Sequence, residues 1–260
     1  MKYASDFRRI ARGVLSGRWV LATLVAFIAS LIGVDTSFSA GGANFEFEAG
    51  ELPEEMNGLV AEFVLKYGQT IAIVAAVLAI VYLIIGGAAI LGYTKFNLNL
   101  VDGRDARVGD LFSQFNRLGT GFVMIFLMGL YISLWSLLFV IPGMIKSYSY
   151  SMTRYILTEH PEYSVNYAIT ESRRMMDGNK FRLFCLRLSF IGWSILCGVF
   201  AGIGFAGLFG GVPLFALLLV VSMIGSYVLR AYAEAAEAAF YREVSHTEFS
   251  DYTNYENVEA

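Results

Sequence analysis

The chain is short of charge, cysteine and histidine, and each shortage excludes something. Only 16% of its 260 residues are charged, against 57% hydrophobic. A soluble domain carries about 25% and 45–50% respectively. The apolar excess lies in long uncharged runs, which excludes a disordered chain and a large-cored soluble protein. What is left between the runs is too thinly spread for a separate soluble domain, and so for an enzyme held by one anchor. The two cysteines, Cys185 and Cys197, share one apolar run. As positions on one helix they stand about 18 Å apart, beyond disulfide reach. His160 and His246 are the only histidines, so no metal site assembles at a recognisable spacing, and no cofactor is expected. No basic stripe points to nucleic acid.

What is present is a pattern of spans. Uncharged runs cover Trp19–Val34, Tyr67–Thr94, Leu118–Ile145 and Leu188–Leu229. The last is too long for one crossing, and Gly202, Gly204, Gly207, Gly210, Gly211 and Pro213 break it into a helical hairpin. Five crossings would leave 9 Lys and Arg on the inner side and 10 on the outer, which is no bias. A turn at Ile141-Pro142-Gly143 with a further crossing through Met144–Thr158 changes that. It puts 16 of the 19 inside, leaves Lys66 and Lys146 outside, and places Arg154 in the span. The positive-inside rule selects this arrangement.

The expected fold is therefore all-α: a polytopic bundle of six transmembrane helices with interfacial amphipathic helices. An N-terminal helix occupies 1–18. The membrane domain runs over 19–242, with spans near 19–34, 67–94, 118–140, 143–158, 183–206 and 212–233 and an acidic outer loop over 35–66. An acidic tail fills 243–260, and both termini are cytoplasmic. The basic lead is long, and Phe38-Ser39-Ala40 puts a large residue where a cleavage site wants a small one. The first span is therefore expected to stay.

Tyr3, Phe7, Ile10, Ala11 and Val14 give residues 3–15 one apolar face opposite Arg8, Arg9 and Arg12. Two readings apply, a helix lying on an anionic leaflet and a basic lead that only orients the first span. The outer loop holds seven acids against Lys66. It reads either as a trap for a cationic peptide or ion or as a topology-setting loop. Pro53 can start a helix there, with Glu54 and Glu55 in its first turn. Residues 164–177 read as a second amphipathic helix, capped by Ser164, stopped by Gly178, and presenting Val165, Ala168, Ile169, Ser172 and Met176 on one face.

Catalytic motifs are absent: no P-loop, no G-x-S-x-G and no H-E-x-x-H. Asp102-Gly103-Arg104-Asp105-Ala106-Arg107 matches the opening of the CDP-alcohol phosphotransferase signature. That chemistry needs Gly, Asp and Asp at 116, 120 and 124, where this chain has Asn116, Thr120 and Met124. Half of the metal shell is missing, so the match reads as a charged turn.

The fourth span is the most polar. Ser147, Ser151, Arg154 and Thr158 fall at i, i+4, i+7 and i+11, which is one helical stripe, with hydroxyls from Tyr148, Tyr150 and Tyr155 beside it. Ionisable residues at membrane depth usually face the bundle or water, so these four form a candidate polar seam for a headgroup, peptide or ion. The competing reading has Arg154 and Lys146 snorkelling to opposite interfaces and the serines joining helices. Gly198-x-x-x-Gly202 and Gly207-x-x-x-Gly211 suit tight helix packing. Ala231, Ala235, Ala238 and Ala239 carry the last helix inward, where Arg230 and Glu234 stand one turn apart and can pair.

Leu134–Gly143, Lys146–Met152, Glu171–Gly178, Ser189–Trp193 and Ala238-Ala239-Phe240-Tyr241 together resemble a bacterial family of integral membrane proteins of unknown function, numbered nine-seven-five among such domains. The resemblance runs from about 105 to 242. It departs at Tyr167, where the family tends to have a capping Glu. It implies a multi-pass protein of the bacterial plasma (inner) membrane with no assigned activity. The Ile-Pro-Gly turn, the polar helix and Ser172-Arg173-Arg174 are also similar to the membrane domain beside some glycerophosphodiester phosphodiesterases, a fold-level analogy. The expected role is non-enzymatic handling or sensing of an envelope lipid or amphipathic peptide. The alternative is a structural or accessory subunit of a transporter or of a peptide export or immunity system. The expected partners are the lipid bilayer, a lipid or peptide ligand, and a membrane protein.

Overall fold

The computed structural model describes residues 2–32, 34, 54–209 and 213–259, and every regular element among them is helical. The helices are α1 (Ala4–Leu15), α2 (Trp19–Leu31), α3 (Glu54–Val101), α4 (Leu118–Leu138), α5 (Val140–Ser149), α6 (Thr153–Glu159), α7 (Val165–Met175), α8 (Lys180–Phe209) and α9 (Pro213–Glu259). Two short 3₁₀ turns, Val108–Phe112 and Phe115–Arg117, connect α3 to α4. The acidic stretch 35–53 lies outside the described residues, and so do the side chains of the helix that follows it as far as residue 65.

Three helical segments among the described residues are long and apolar enough to cross a membrane: Val108–Leu138, Lys180–Gly207 and Phe215–Ser245. A fourth is added if α1 and α2, bent by 102° at Ser16-Gly17-Arg18, count as one. The described residues are thus all-helical with three or four candidate spans, and the uncharged run Tyr67–Thr94 lies within α3.

The molecule has two unlike ends. At one, the helices expose large apolar side chains along their length: Leu24 on α2, Ile73 and Val77 on α3, Leu134 and Leu137 on α4, Trp193 and Val199 on α8, Leu217 and Val221 on α9. At the other lies the core. It is built from α1, one face of α2, the last turns of α3, α6, one face of α7, the start of α8, and α9 from Ala231 to Val244. Leu91, Tyr93, Phe96, Tyr155, Leu157, Leu183, Phe190 and Phe240 are fully enclosed there. Charges cluster at this packed end, while the apolar surface of the other end needs a non-aqueous surrounding.

Local rules explain the joints. Pro213 opens α9 at the first helical position, where its missing N–H costs nothing. The Ser164 hydroxyl accepts from the Tyr167 N–H and caps α7, and Gly178, at φ 73°, ends the turn after it. Val165, Ala168, Ile169, Ser172 and Met176 are all buried, so the α7 face docks under the bundle. The α1 face behaves alike. Phe7, Ala11 and Leu15 are buried, with the Phe7 ring edge-on to Phe240 of α9 at 5.2 Å. That face meets protein, which corrects the reading of α1 as a helix lying apolar side down on a leaflet.

The fourth expected span differs most. A single helix over 143–158 is replaced by α5 and α6, separated by a break at Tyr150-Ser151-Met152. The preceding turn falls two residues earlier, at Phe139 in an extended conformation (φ −160°, ψ 147°), and Pro142 sits in the first turn of α5. Both shifts have a reason. Proline is tolerated within the first helical turn, and the backbone freed at the break is satisfied from α7. The Ser172 hydroxyl donates to the Ser149 carbonyl at 2.8 Å and accepts from the Met152 N–H at 3.2 Å.

Candidate functional site

The site grows from the sequence of α9. Ala231 to Ala239 alternates small residues with Glu234 and Glu237, all strong helix formers except Tyr232. The alanines let neighbouring helices approach, and the two acids, three residues apart, fall on one face. That stretch is buried on nearly every side, so its carboxylates must find cations. Arg154 comes from α6 and Arg187 from α8. The Arg154 Nη2 lies 3.0 Å from Glu234 Oε2 and 3.2 Å from Glu237 Oε1. Arg187 donates twice to Glu237, at 2.7 and 3.3 Å. The side chains are 11% (Arg154), 16% (Arg187), 5% (Glu234) and 7% (Glu237) exposed. Two cations and two anions balance one another among these four groups, and Arg230 of α9 lies within electrostatic reach of the same region.

Aromatic rings close it off. Tyr155 stacks on Tyr241 at 4.9 Å, its hydroxyl accepts from Arg154 at 3.1 Å, and the Arg187 guanidinium lies 5.3 Å from the Tyr148 ring centre. Two further groups continue the ladder along α9. Arg242 grips both oxygens of Asp102 at 2.7 Å and donates to Glu159 at 2.5 Å. Glu159 also accepts from the Tyr241 hydroxyl at 2.7 Å. Glu243 pairs with Arg182 at 2.5 Å and Lys2 at 3.6 Å, tying α1 and α8 to the same helix. Outside the ladder, the exposed Glu162 carboxyl is held below the usual carboxylate range, first by its own backbone N–H and then by His160 beside it.

The four predicted seam residues do not form one stripe, because the break separates Ser147 and Ser151 from Arg154 and Thr158. Ser147 donates to the Met144 carbonyl at 2.7 Å and Ser151 to Tyr148 at 2.8 Å, both within their own turn. Thr158 donates to the Arg154 carbonyl at 2.7 Å and reaches Leu91 of α3 at 3.4 Å. Arg154 alone enters the cluster. Arg187, Glu237, Glu159 and Arg242 went unrecognised in the sequence. Glu234 meets Arg154 from 80 positions away, a partner that its place one turn from Arg230 does not announce. A signal was available: two acids on an alanine-rich helix directly after a span require buried cations from elsewhere. Asp102, in the partial phosphotransferase match, is an ion-pair partner of Arg242 and Arg104. Among the described residues no group of three His, Cys, Asp or Glu could hold a metal. Cys185 and Cys197 both lie on α8 as free thiols.

Residues 137–248 match a family described as Protein of unknown function (DUF975). The matched region starts in the last turn of α4 and takes in α5 to α8 and most of α9, so it contains Arg154, Arg187, Glu234 and Glu237. The resemblance seen in the sequence had begun earlier, near 105; α3 and most of α4 lie outside the match. No curated protein and no solved structure matches the chain.

Proposed function

We propose that the chain is a non-enzymatic multi-pass membrane protein acting as a structural or accessory subunit. In this reading the charge cluster is the joint that fixes its spans at one end. One observation carries it: the buried charges answer one another. Arg154 is held by Glu234 and Glu237, and Arg187 by Glu237. The seam hydroxyls of Ser147, Ser151 and Thr158 are held by backbone carbonyls. A site built to grip an ionic ligand keeps a charge open for it; this cluster has spent its charges on itself. The candidate spans bury only 11–17% of their apolar windows, which leaves their faces for lipid or for the helices of a partner. The packed end, with 16 of the 19 Lys and Arg in its flanking segments, belongs on the cytoplasmic side of a bacterial inner membrane, with both termini there.

A second reading, handling or sensing of an envelope lipid or amphipathic peptide, is favoured by the exposed arginines of α1 and α7. Arg9, Arg12, Arg173 and Arg174 are exposed on helices of the packed end, where anionic headgroups would meet them. The test is mass spectrometry of what co-purifies in mild detergent, comparing wild type with the Ser147→Ala, Ser151→Ala double variant. The structural reading expects an unchanged profile. A defined lipid or peptide lost from the folded variant would establish the seam and overturn it.

A further inference from the structure

We infer that α4 and α5 do not cross the membrane but form a hairpin that enters one leaflet from the packed side and leaves by the same side. The inference rests on the membrane reading above and goes beyond it. By length and composition α4 could span; its contacts and those of α5 say otherwise. α5 has 10 residues, about 15 Å of helix, half of a hydrocarbon core of about 30 Å. Its far end is already among the charges. The Tyr148 ring lies 5.9 Å from that of Phe184 and 5.3 Å from the Arg187 guanidinium, and the Ser149 carbonyl is held by Ser172 of α7.

α4 is tied to the same end along most of its length. Arg117, just before it, donates to the Leu157 and Pro161 carbonyls at 2.9 and 3.0 Å. Further on, the Tyr131 hydroxyl meets Asn166 of α7 at 3.3 Å and the Tyr131 ring lies 6.3 Å from Tyr150. Lys146 then fixes the depth. Its ammonium stands 4.5 Å over the Trp135 ring and within electrostatic reach of Arg173 and Lys180. A crossing would put those two arginine and lysine side chains a full membrane thickness away.

Only the tip between Trp135 and Lys146 projects further, about four residues and 6 Å on the α4 limb and about six residues and 9 Å on the α5 limb. That tip is apolar and bare: Leu137 is 85% exposed, and Leu138, Phe139, Val140 and Ile141 are also exposed. Gly143 gives the two limbs room to close, since any side chain there would overlap Ser136. The occupant of this surface is the acyl region of one leaflet, and Lys146, Arg173 and Lys180 at its mouth suit anionic headgroups. With the uncharged run Trp19–Val34 that contains α2, and with α3, α8 and α9, as the crossings, both termini still share a side. Lys146 and Arg154 join the other basic residues there, and Lys66 alone is left opposite. The charge bias is stronger than with six crossings, and no polar fourth span is needed.

Wild-type protein in sealed vesicles of phosphatidylethanolamine and phosphatidylglycerol, labelled from one face at a time with a membrane-impermeant amine reagent, tests this. Peptide mass spectrometry reads Lys66, Lys146 and Lys180, with no substitution to disturb folding. Lys146 gaining label from the same face as Lys180, and Lys66 from the other, is the expected result. Lys146 labelled together with Lys66, or from neither face, overturns the hairpin. If Lys66 and Lys180 both react from one face, the membrane reading itself fails and the hairpin with it.

Discussion

Replacing Glu237 by Gln keeps the shape of the side chain and removes its charge. Glu237 is the carboxylate that both arginines share, 2.7 Å from Arg187 and 3.2 Å from Arg154. At those distances each attraction is about 5 kcal/mol for an effective dielectric near 20. The cost of having dehydrated the ions offsets much of it. What the variant exposes is the remainder: two guanidiniums enclosed with one carboxylate. Stripping one partner from a buried pair costs about 3–5 kcal/mol. For a chain of this size that lowers the thermal midpoint by about 6–20 °C. The assay is thermal unfolding in detergent followed by circular dichroism, with Asp105→Asn, at an exposed position, as the control expected to change nothing. Adding Arg187→Met to Glu237→Gln restores charge balance and recovers part of the loss, with a coupling of about 0.5–3 kcal/mol. A loss below about 1 kcal/mol, the range of solvent-exposed pairs, would refute the view that the cluster is buried and structural.

Three further outcomes follow from other contacts. Ser172→Ala leaves the Ser149 carbonyl and the Met152 N–H unsatisfied; it should cost about 1–3 kcal/mol and speed hydrogen exchange at residues 149–152. Gly87→Ala places a methyl on the backbone of Gly121 where α3 and α4 touch, whereas Gly129 faces open space. The first should destabilise by about 1–3 kcal/mol and Gly129→Ala should not, as thermal midpoints will show. Arg154→Leu takes a cation from Glu234 and leaves Glu237 to Arg187, so its primary effect should be a loss of about 3–5 kcal/mol of stability rather than a selective loss of ligand.

The helical class, the break before Pro213 and the amphipathic α7 with its Ser164 cap were legible because local rules govern them: long apolar runs, a proline at a helix start, a serine before a periodic face. The failures lie where tertiary contacts decide. The stripe Ser147, Ser151, Arg154, Thr158 assumes an unbroken helix, and nothing in those residues announces that Ser172, some 20 positions on, satisfies a break among them. Arg154 was rightly singled out as an anomaly in an apolar segment, but its partners sit on α9, and sequence separation hid them. The α1 face was read correctly as apolar, while what covers it, Phe240 and its neighbours, could not be read from α1 itself.

The central claim is that Arg154, Arg187, Glu234 and Glu237 join helices and bind nothing else. The most direct measurement replaces all four together with Met and Leu, a change that buried ion clusters often tolerate. Native mass spectrometry of the folded variant and of wild type in mild detergent is then compared. The account predicts the same assembly and the same co-purifying lipids. A variant that folds but sheds a lipid or peptide that wild type retains would contradict it, and would make the cluster a binding site.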